Sequence, residues 1–306
     1  MNNIQCQSVY RGRFAPSPTG PLHFGSMVAA VGSYLDAKSQ GGQWLLRMED
    51  LDPPRVVAGA ADNILRTLEA FGLGWDGETM WQSRRGKAYQ AALDELRRQS
   101  LVYPCNCSRR EISDSSLGSP SGLVYPGLCR HGLRGGRNEH ALRVLTHDEP
   151  VIFVDRLQGE ISQHIEREVG DFVLRRADDL VAYQLAVVVD DGEQQITDVV
   201  RGADILDSTP RQIYLQQLLG LPLPNYLHLP VALNEAGEKL SKQTLAAPVD
   251  ANRPVETLMQ VLLFLGQHPP PDLAIEGVER MLTWAVTHWD VNNIQRCRML
   301  EKQGGG

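Results

Sequence analysis

From Arg13 to Ser26 the chain reads Arg-Phe-Ala-Pro-Ser-Pro-Thr-Gly-Pro-Leu-His-Phe-Gly-Ser, and this stretch leaves the backbone little choice. Residues 9–14 before it have the character of a short strand, and residues 26–38 after it are a run of small and apolar residues suited to a helix. Pro16, Pro18 and Gly20 exclude regular structure between the two. A strand, a tight loop and a helix place the loop over a helix N-terminus, where backbone N–H groups and the helix dipole favour phosphate. Gly25 admits a ligand close to the backbone, and His23 can donate to a phosphate oxygen. Alone, His-x-Gly is more often a capping histidine in a proline-rich surface loop; its partners elsewhere in the chain decide the matter.

Those partners recur in an alternating pattern. Residues 44–49 (Trp-Leu-Leu-Arg-Met-Glu) predict a second strand, ending in an acidic turn at a place where open parallel sheets bind ligands. Amphipathic helices are expected over 56–71 and 83–100, the second with Ser83 as a plausible N-cap and Arg97-Arg98 in its last turn. Residues 151–155 read as a strand, residues 187–191 continue the element begun at 170–186, and residues 196–204 read as a buried strand carrying Arg201. Residues 209–219 form a helix with proline at its start, and 227–233 a final strand. Short strands alternating with helices predict an α/β fold with a parallel, doubly wound sheet.

After that last strand comes Lys239-Leu240-Ser241-Lys242-Gln243, following Gly237. Two lysines on a glycine-hinged loop can stabilise charge on a leaving pyrophosphate. Helices are expected near 255–266 and 273–289, and the closing glycines are expected to lack order.

Five cysteines, an odd number in a chain whose first residues carry neither the basic segment nor the apolar core expected of a secretory leader, argue against a disulfide framework. Cys6 and Cys297 read as plain thiols, but Cys105, Cys107 and Cys129 cluster. Three thiolates leave one corner of a tetrahedral zinc site, for which the sequence offers Tyr125 and His131; general coordination chemistry favours histidine. Between Cys105 and Arg143 six arginines, among them Arg109, Arg110, Arg130 and Arg134, face Glu111, Asp114 and Glu139 in a chain whose net charge is −7. A local basic face on an acidic protein can steer one RNA without binding all RNAs. No apolar run is long enough to span a membrane, and a cytoplasmic location is expected.

Taken together, the first stretch resembles the HIGH signature of class I aminoacyl-tRNA synthetases, with Ser26 in place of the second histidine, and Lys239–Gln243 resembles their KMSKS signature. The Arg-Phe-Ala-Pro-Ser-Pro-Thr-Gly lead and residues 170–186 are similar to the glutamyl branch. The resemblance implies a Rossmann-type catalytic domain whose first half spans 8–104 and second half 171–235. It also implies an inserted, zinc-bearing, acceptor-type RNA-binding region over 105–170, and a KMSKS-type loop with a helical stem-contact region over 236–303. It implies a glutamate pocket made of Arg13, Phe14, Ala15, Pro16, Ser17, Glu49, Tyr183 and Arg201. Glu49 and Tyr183 would meet the ammonium and the arginines the carboxylates. An ATP site would comprise Thr19, Gly20, His23, Gly25, Ser26 and Lys242, with His23, Lys239 and Lys242 stabilising phosphate charge and Mg2+ accompanying ATP. It points to Tyr125 over His131 as fourth ligand to a single structural zinc.

Residues 244–306 are too short for the helical anticodon-binding domain of an ordinary glutamyl-tRNA synthetase. The chain therefore resembles the short paralogues that attach glutamate to queuosine in the anticodon of tRNA(Asp), and a monomer is expected. Two rivals differ in kind: a minimal synthetase charging the 3′ end of tRNA(Glu), and a non-catalytic glutamate-binding paralogue, against which His23, Gly25, Lys239 and Lys242 all argue.

Overall fold

The computed structural model describes residues 9–119, 122–135, 140–234, 237 and 247–302; Lys239 and Lys242 lie outside the described residues. In chain order the elements begin with β1 (Arg11–Phe14), α1 (Phe24–Ser39), β2 (Gln43–Met48), α2 (Ala60–Ala70), β3 (Met80–Trp81), α3 (Gly86–Arg98), β4 (Val102–Cys105) and α4 (Arg109–Ser115). There follow β5 (Leu117–Ser119), β6 (Gly122–Val124), β7 (Ala141–Val144), β8 (Pro150–Asp155), β9 (Gly159–His164), α5 (Ile165–Glu168), β10 (Val173–Arg175) and α6 (Tyr183–Glu193). The remainder comprises β11 (Asp198–Gly202), α7 (Thr209–Leu219), β12 (Asn225–Leu229), β13 (Val231–Leu233), α8 (Pro254–Phe264), α9 (Leu273–Glu276), α10 (Val278–His288) and β14 (Met299–Glu301).

The expected parallel sheet is present. β1 pairs in parallel with β2 and β2 with β3, while β11 pairs in parallel with β12 and β12 with β8. The two groups meet where Thr197 N donates to Arg11 O at 2.9 Å and Arg11 N donates to Thr197 Oγ1 at 2.8 Å. β1 and β11 thus lie side by side at the centre, with their C-terminal ends on the same edge. There Phe14 leads into the first signature and Gly202 follows Arg201.

α1 is buried on most of its circumference, as its small-residue composition demands. Gly32 is the closest point: a Cβ there would stand 2.4 Å from Leu229 Cδ1, so the helix reaches β12 only because that residue has no side chain. Met27, Val28, Val31 and Leu35 of α1 share one core with Trp44 and Leu46 of the sheet and with Leu258, Val261, Leu262 and Met281 of α8 and α10. A second core joins α3, α6 and α7 under β11 and β12, and a small third one holds Cys105, Tyr125 and Cys129.

Several local expectations need correction. The helix expected from Ser83 starts at Gly86, because the Ser83 backbone N–H and hydroxyl donate to Asp50 instead of capping. Residues 170–191 are not one element: β10 ends at Arg175, and the valine run 187–189 lies inside α6. Tertiary packing overrides the strand preference of those valines, since the helix points Leu185 and Val188 into the second core and Asp190 and Asp191 toward buried arginines. The strand expected over 227–233 is two, parted at Pro230, and the helix over 273–289 breaks at Gly277, whose φ of 89° excludes helix. β8, inside the expected insertion, joins the parallel sheet through Tyr226 and Asp155.

Candidate active site

Phe14, buried against Trp44, closes β1, and Pro16 O fixes the incoming loop by accepting from Glu49 N at 3.0 Å. Ala15 is half-buried, Ser17 exposed and Thr19 half-buried; Gly20 is buried with φ of 144°, a value few other residues adopt. His23 caps α1, its Nδ1 accepting from Ser26 N at 3.3 Å. In the neutral ring the proton therefore resides on Nε2, which makes that atom a donor. The capping role and a phosphate-donating role are thus compatible, because the cap selects the tautomer that donation needs. Gly25 and Ser26 form the first turn, so the N-terminal dipole of α1 opens at this loop.

The far end of the second signature's loop returns to the same place. Pro248 forms an antiparallel bridge with His23, and Val249 N donates to Leu22 O at 3.0 Å. Its near end is held in β13, which pairs with β14.

Behind the loop lies a buried ion-pair network. Arg13 donates from Nε to Asp191 Oδ1 at 3.1 Å and from Nη2 to Oδ2 at 3.4 Å, while Arg47 Nη2 reaches Asp191 Oδ1 at 2.6 Å. Burial raises the proton affinity of the Asp191 carboxyl, but the two guanidinium charges outweigh it and hold the group below the usual carboxylate range. Asp190 accepts from Gln82, Tyr89 and Arg85, and Arg85 also forks onto Glu193. Glu49, half-buried at the end of β2, behaves in the opposite way. Desolvation pushes its carboxyl up to about 7, against the pull of Arg47 and Arg13. It can exchange charge near neutral pH, and a cation arriving beside it would draw it back to the ionised form.

Tyr183 opens α6 and remains 36% exposed. Apart from burial, the field at its hydroxyl is set by Arg201, Glu49 and Arg13, which brings the four polar residues expected from the sequence to one place. Arg201 is buried in β11. Its Nε donates to His228 Nε2 at 2.9 Å and its Nη2 to Thr209 Oγ1 at 2.8 Å, while Nη1 is buried without a hydrogen-bond partner among the described residues. Two cations, one titratable carboxyl and one phenol can receive a zwitterion carrying two carboxylates.

Sequence reasoning missed Arg47, Asp190, Asp191, Thr209 and His228. The available signals were an arginine inside the apolar strand Leu46-Arg47-Met48 and two adjacent acids at the end of a valine run.

In the insertion, the Sγ atoms of Cys105, Cys107 and Cys129 lie within 4.8 Å of one another, with Cys107 and Cys129 at 3.5 Å. The Tyr125 hydroxyl stands 3.2 Å from Cys105 Sγ and 3.7 Å from Cys107 Sγ, and accepts from Cys129 N at 3.1 Å. A zinc ion with bonds near 2.3 Å separates its thiolates by about 3.8 Å, so three sulfurs and a phenol oxygen at these spacings fit a tetrahedral ion. His131 is exposed and is not among the clustered groups. Burial disfavours the Cys105 thiolate, yet hydrogen bonds from Tyr125, Cys107 N and Arg143 bring the thiol below its usual value. Arg143 also stacks 3.8 Å above the Tyr125 ring.

Of the arginines singled out for RNA, Arg109, Arg110 and Arg134 are exposed, with Arg110 loosely paired to Asp114 at 3.7 Å. Arg130 is committed otherwise: it forks onto Asp171 at 2.6 and 2.8 Å and reaches Glu166 at 2.7 Å.

Among the described residues no helix is long and apolar enough to cross a membrane. The family model for class I tRNA synthetases (E and Q), catalytic domain, matches residues 9–270. The chain is 58% identical over 295 residues to the glutamyl-Q tRNA(Asp) synthetase of Dechloromonas aromatica, covering 96% of this chain and 98% of that one. It is 51% identical over 296 residues to the glutamyl-Q tRNA(Asp) synthetase of Pseudomonas aeruginosa, covering 97% and 99%. Among solved structures, the glutamate tRNA ligase of Elizabethkingia meningosepticum in complex with its amino acid superposes with a TM-score of 0.78 at 25% identity, covering 97% of this chain and 67% of that one. With this fold, the family model matching residues 9–270 and relatives matched over almost their whole length, the chain belongs to the class I tRNA synthetases and, within their glutamyl branch, to the glutamyl-Q tRNA(Asp) synthetase family.

Proposed function

We propose that the chain condenses L-glutamate with ATP to glutamyl-adenylate and transfers the glutamyl group to the queuosine base in the anticodon of tRNA(Asp). The observation that carries the reading is the convergence of Arg13, Arg201 and Glu49 on Tyr183, supported by the capped N-terminus of α1 that follows the first signature's loop.

In the first step a glutamate carboxylate oxygen attacks the α-phosphorus of ATP, a P–O bond forms, and the bond to pyrophosphate breaks. Arg13 and Arg201 hold the carboxylates, and Glu49, ionised by the arriving ammonium, fixes the other end. His23 donates from Nε2 to a phosphate oxygen, while Lys242, assisted by Lys239, takes up charge on the departing pyrophosphate. Mg2+ bound to ATP supplies further shielding of phosphate charge. In the second step a hydroxyl of the modified base attacks the acyl carbon and AMP leaves. No covalent enzyme intermediate is needed.

Cys105, Cys107, Cys129 and Tyr125 would hold one zinc ion that pins the insertion. The division into 8–104, 105–170, 171–235 and 236–303 accords with one surface serving both recognition and chemistry. A stem-loop offers a helix read by shape and unstacked bases that can enter a pocket. A cytoplasmic monomer is the setting this reading implies. The test uses queuosine-bearing tRNA(Asp) lacking its 3′ adenosine. Glutamate attached to it supports the reading; dependence on the 3′ adenosine, or charging of tRNA(Glu), makes the chain a minimal glutamyl-tRNA synthetase instead.

A further inference from the structure

The two buried arginines of the site are held in different electrical settings. Arg13 is paired directly with the Asp191 carboxylate, so much of its charge is already answered within the protein. Arg201 has no such partner among the described residues; its hydrogen-bonding neighbours are an imidazole and a hydroxyl.

That setting is built by three adjacent strands. Arg201 of β11 and His228 of β12 are register partners across a parallel pair, which puts their side chains on one face. Asp155 at the end of β8 lies next along the sheet. Its Oδ1 accepts from Leu157 N at 3.0 Å and Gln158 N at 2.8 Å, and its Oδ2 lies 2.6 Å from His228 Nδ1. A carboxylate so placed only accepts, so the proton of His228 sits on Nδ1 and Nε2 is left as an acceptor. Nε2 then takes the Arg201 Nε–H at 2.9 Å and lies 3.2 Å from the Thr209 hydroxyl, which itself accepts from Arg201 Nη2. An imidazolium would turn a donor toward the guanidinium, so the arrangement admits only the neutral ring. In keeping with this, burial and the neighbouring arginines push His228 down to about 4.

Building on the glutamate reading above, we propose that Asp155, His228 and Thr209 are positioning residues. They lock Arg201 through neutral contacts on one edge of its guanidinium, leave Nη1 unanswered, and so reserve its charge for a carboxylate of the substrate. Nη1, buried and without a hydrogen-bond partner among the described residues, is the feature such a carboxylate would satisfy. Arg13 then orients, and Arg201 supplies the attraction that a carboxamide in the same place would lose.

The test is glutamate-dependent exchange of pyrophosphate into ATP, with KM for glutamate, KM for ATP, kcat and Tm measured together. His228→Leu removes the acceptor and is expected to raise KM for glutamate at least ~10-fold, the loss typical of a hydrogen bond to a charged group. KM for ATP should stay near the wild-type value. His228→Gln, whose side-chain oxygen can accept from Arg201 Nε, should recover most of the affinity. Thr209→Asp, which gives Arg201 a carboxylate of its own, should abolish glutamate binding, whereas Thr209→Ser should preserve it. An unchanged glutamate KM in His228→Leu overturns the proposal, as does a variant in which both KM values and kcat move together. Should His228→Leu fail to fold, the Thr209→Asp and Thr209→Ser pair decides, and equal glutamate KM in those two overturns it. If the wild-type protein exchanges with no amino acid, the substrate assignment fails, and that result is separate from any difference among variants.

Discussion

Replacing Glu49 with glutamine should make the protein more stable and less active, with a pH dependence set by its surroundings. The carboxyl is pushed from 4.5 to about 7 by desolvation. Below 4.5 folded and unfolded chains both carry it protonated, and the group contributes nothing. As pH rises toward 7 the unfolded chain ionises freely while the folded chain resists, so a cost accumulates and is complete above about 7. At about 1.4 kcal/mol per pH unit, and allowing for solvent at a half-buried group, that cost is about 2–3 kcal/mol. Glu49→Gln removes it. Urea unfolding should find the variant about 2–3 kcal/mol more stable than wild type at pH 8 and within ~1 kcal/mol of it at pH 5. Pyrophosphate exchange by the variant should fall sharply, since the substrate ammonium loses its counter-charge. In the wild type KM for glutamate should climb as pH drops below about 7. A stability gap that is the same at both pH values, or a variant less stable at pH 8, would refute the account of Glu49 as a strained acid kept for binding.

Metal analysis should find one zinc per chain, lost in Cys129→Ser; if Tyr125→Phe keeps zinc while His131→Ala loses it, the phenol is not the fourth ligand. Neutralising Arg109, Arg110 and Arg134 should weaken transfer to tRNA and flatten its salt dependence while leaving adenylate formation intact, and a loss of adenylate formation would place these residues elsewhere in the chemistry. Asp191→Asn leaves Arg13 and Arg47 buried without their shared carboxylate and should cost about 3–5 kcal/mol of stability; a loss under ~1 kcal/mol in chemical denaturation would show the network to be dispensable.

The strand–loop–helix at residues 13–26 was legible because proline, glycine and small residues leave one way to fold, and the alternation that follows made a parallel sheet the natural continuation. The cysteine cluster was equally legible from spacing, with Tyr125 rather than His131 standing among the thiols. What could not be read were contacts with no local signature. Asp191 meets Arg13 across most of the catalytic core, and nothing in the residues around 191 says so. The partition of residues 170–191 into strand, turn and helix depended on which face of the valine run would be buried. Arg130 reads in sequence as part of the basic RNA-facing set, and only the fold brings Asp171 and Glu166 to it as partners.

The pairing of β13 with β14 bears on how the chain is made as well as on what it does. Strand 231–233 leads into the second signature, yet its partner, 299–301, is synthesised long after it. Helix α1 likewise waits for α8 and α10 to cover it. A nascent chain that has already produced both signatures therefore still exposes the apolar flank of its first helix and an open strand edge. Such non-local closure is slow and leaves an aggregation-prone interval on the ribosome. The strand that leads into the second signature gains its partner only after residues 299–301 have been made, so that anchor forms late relative to both signatures.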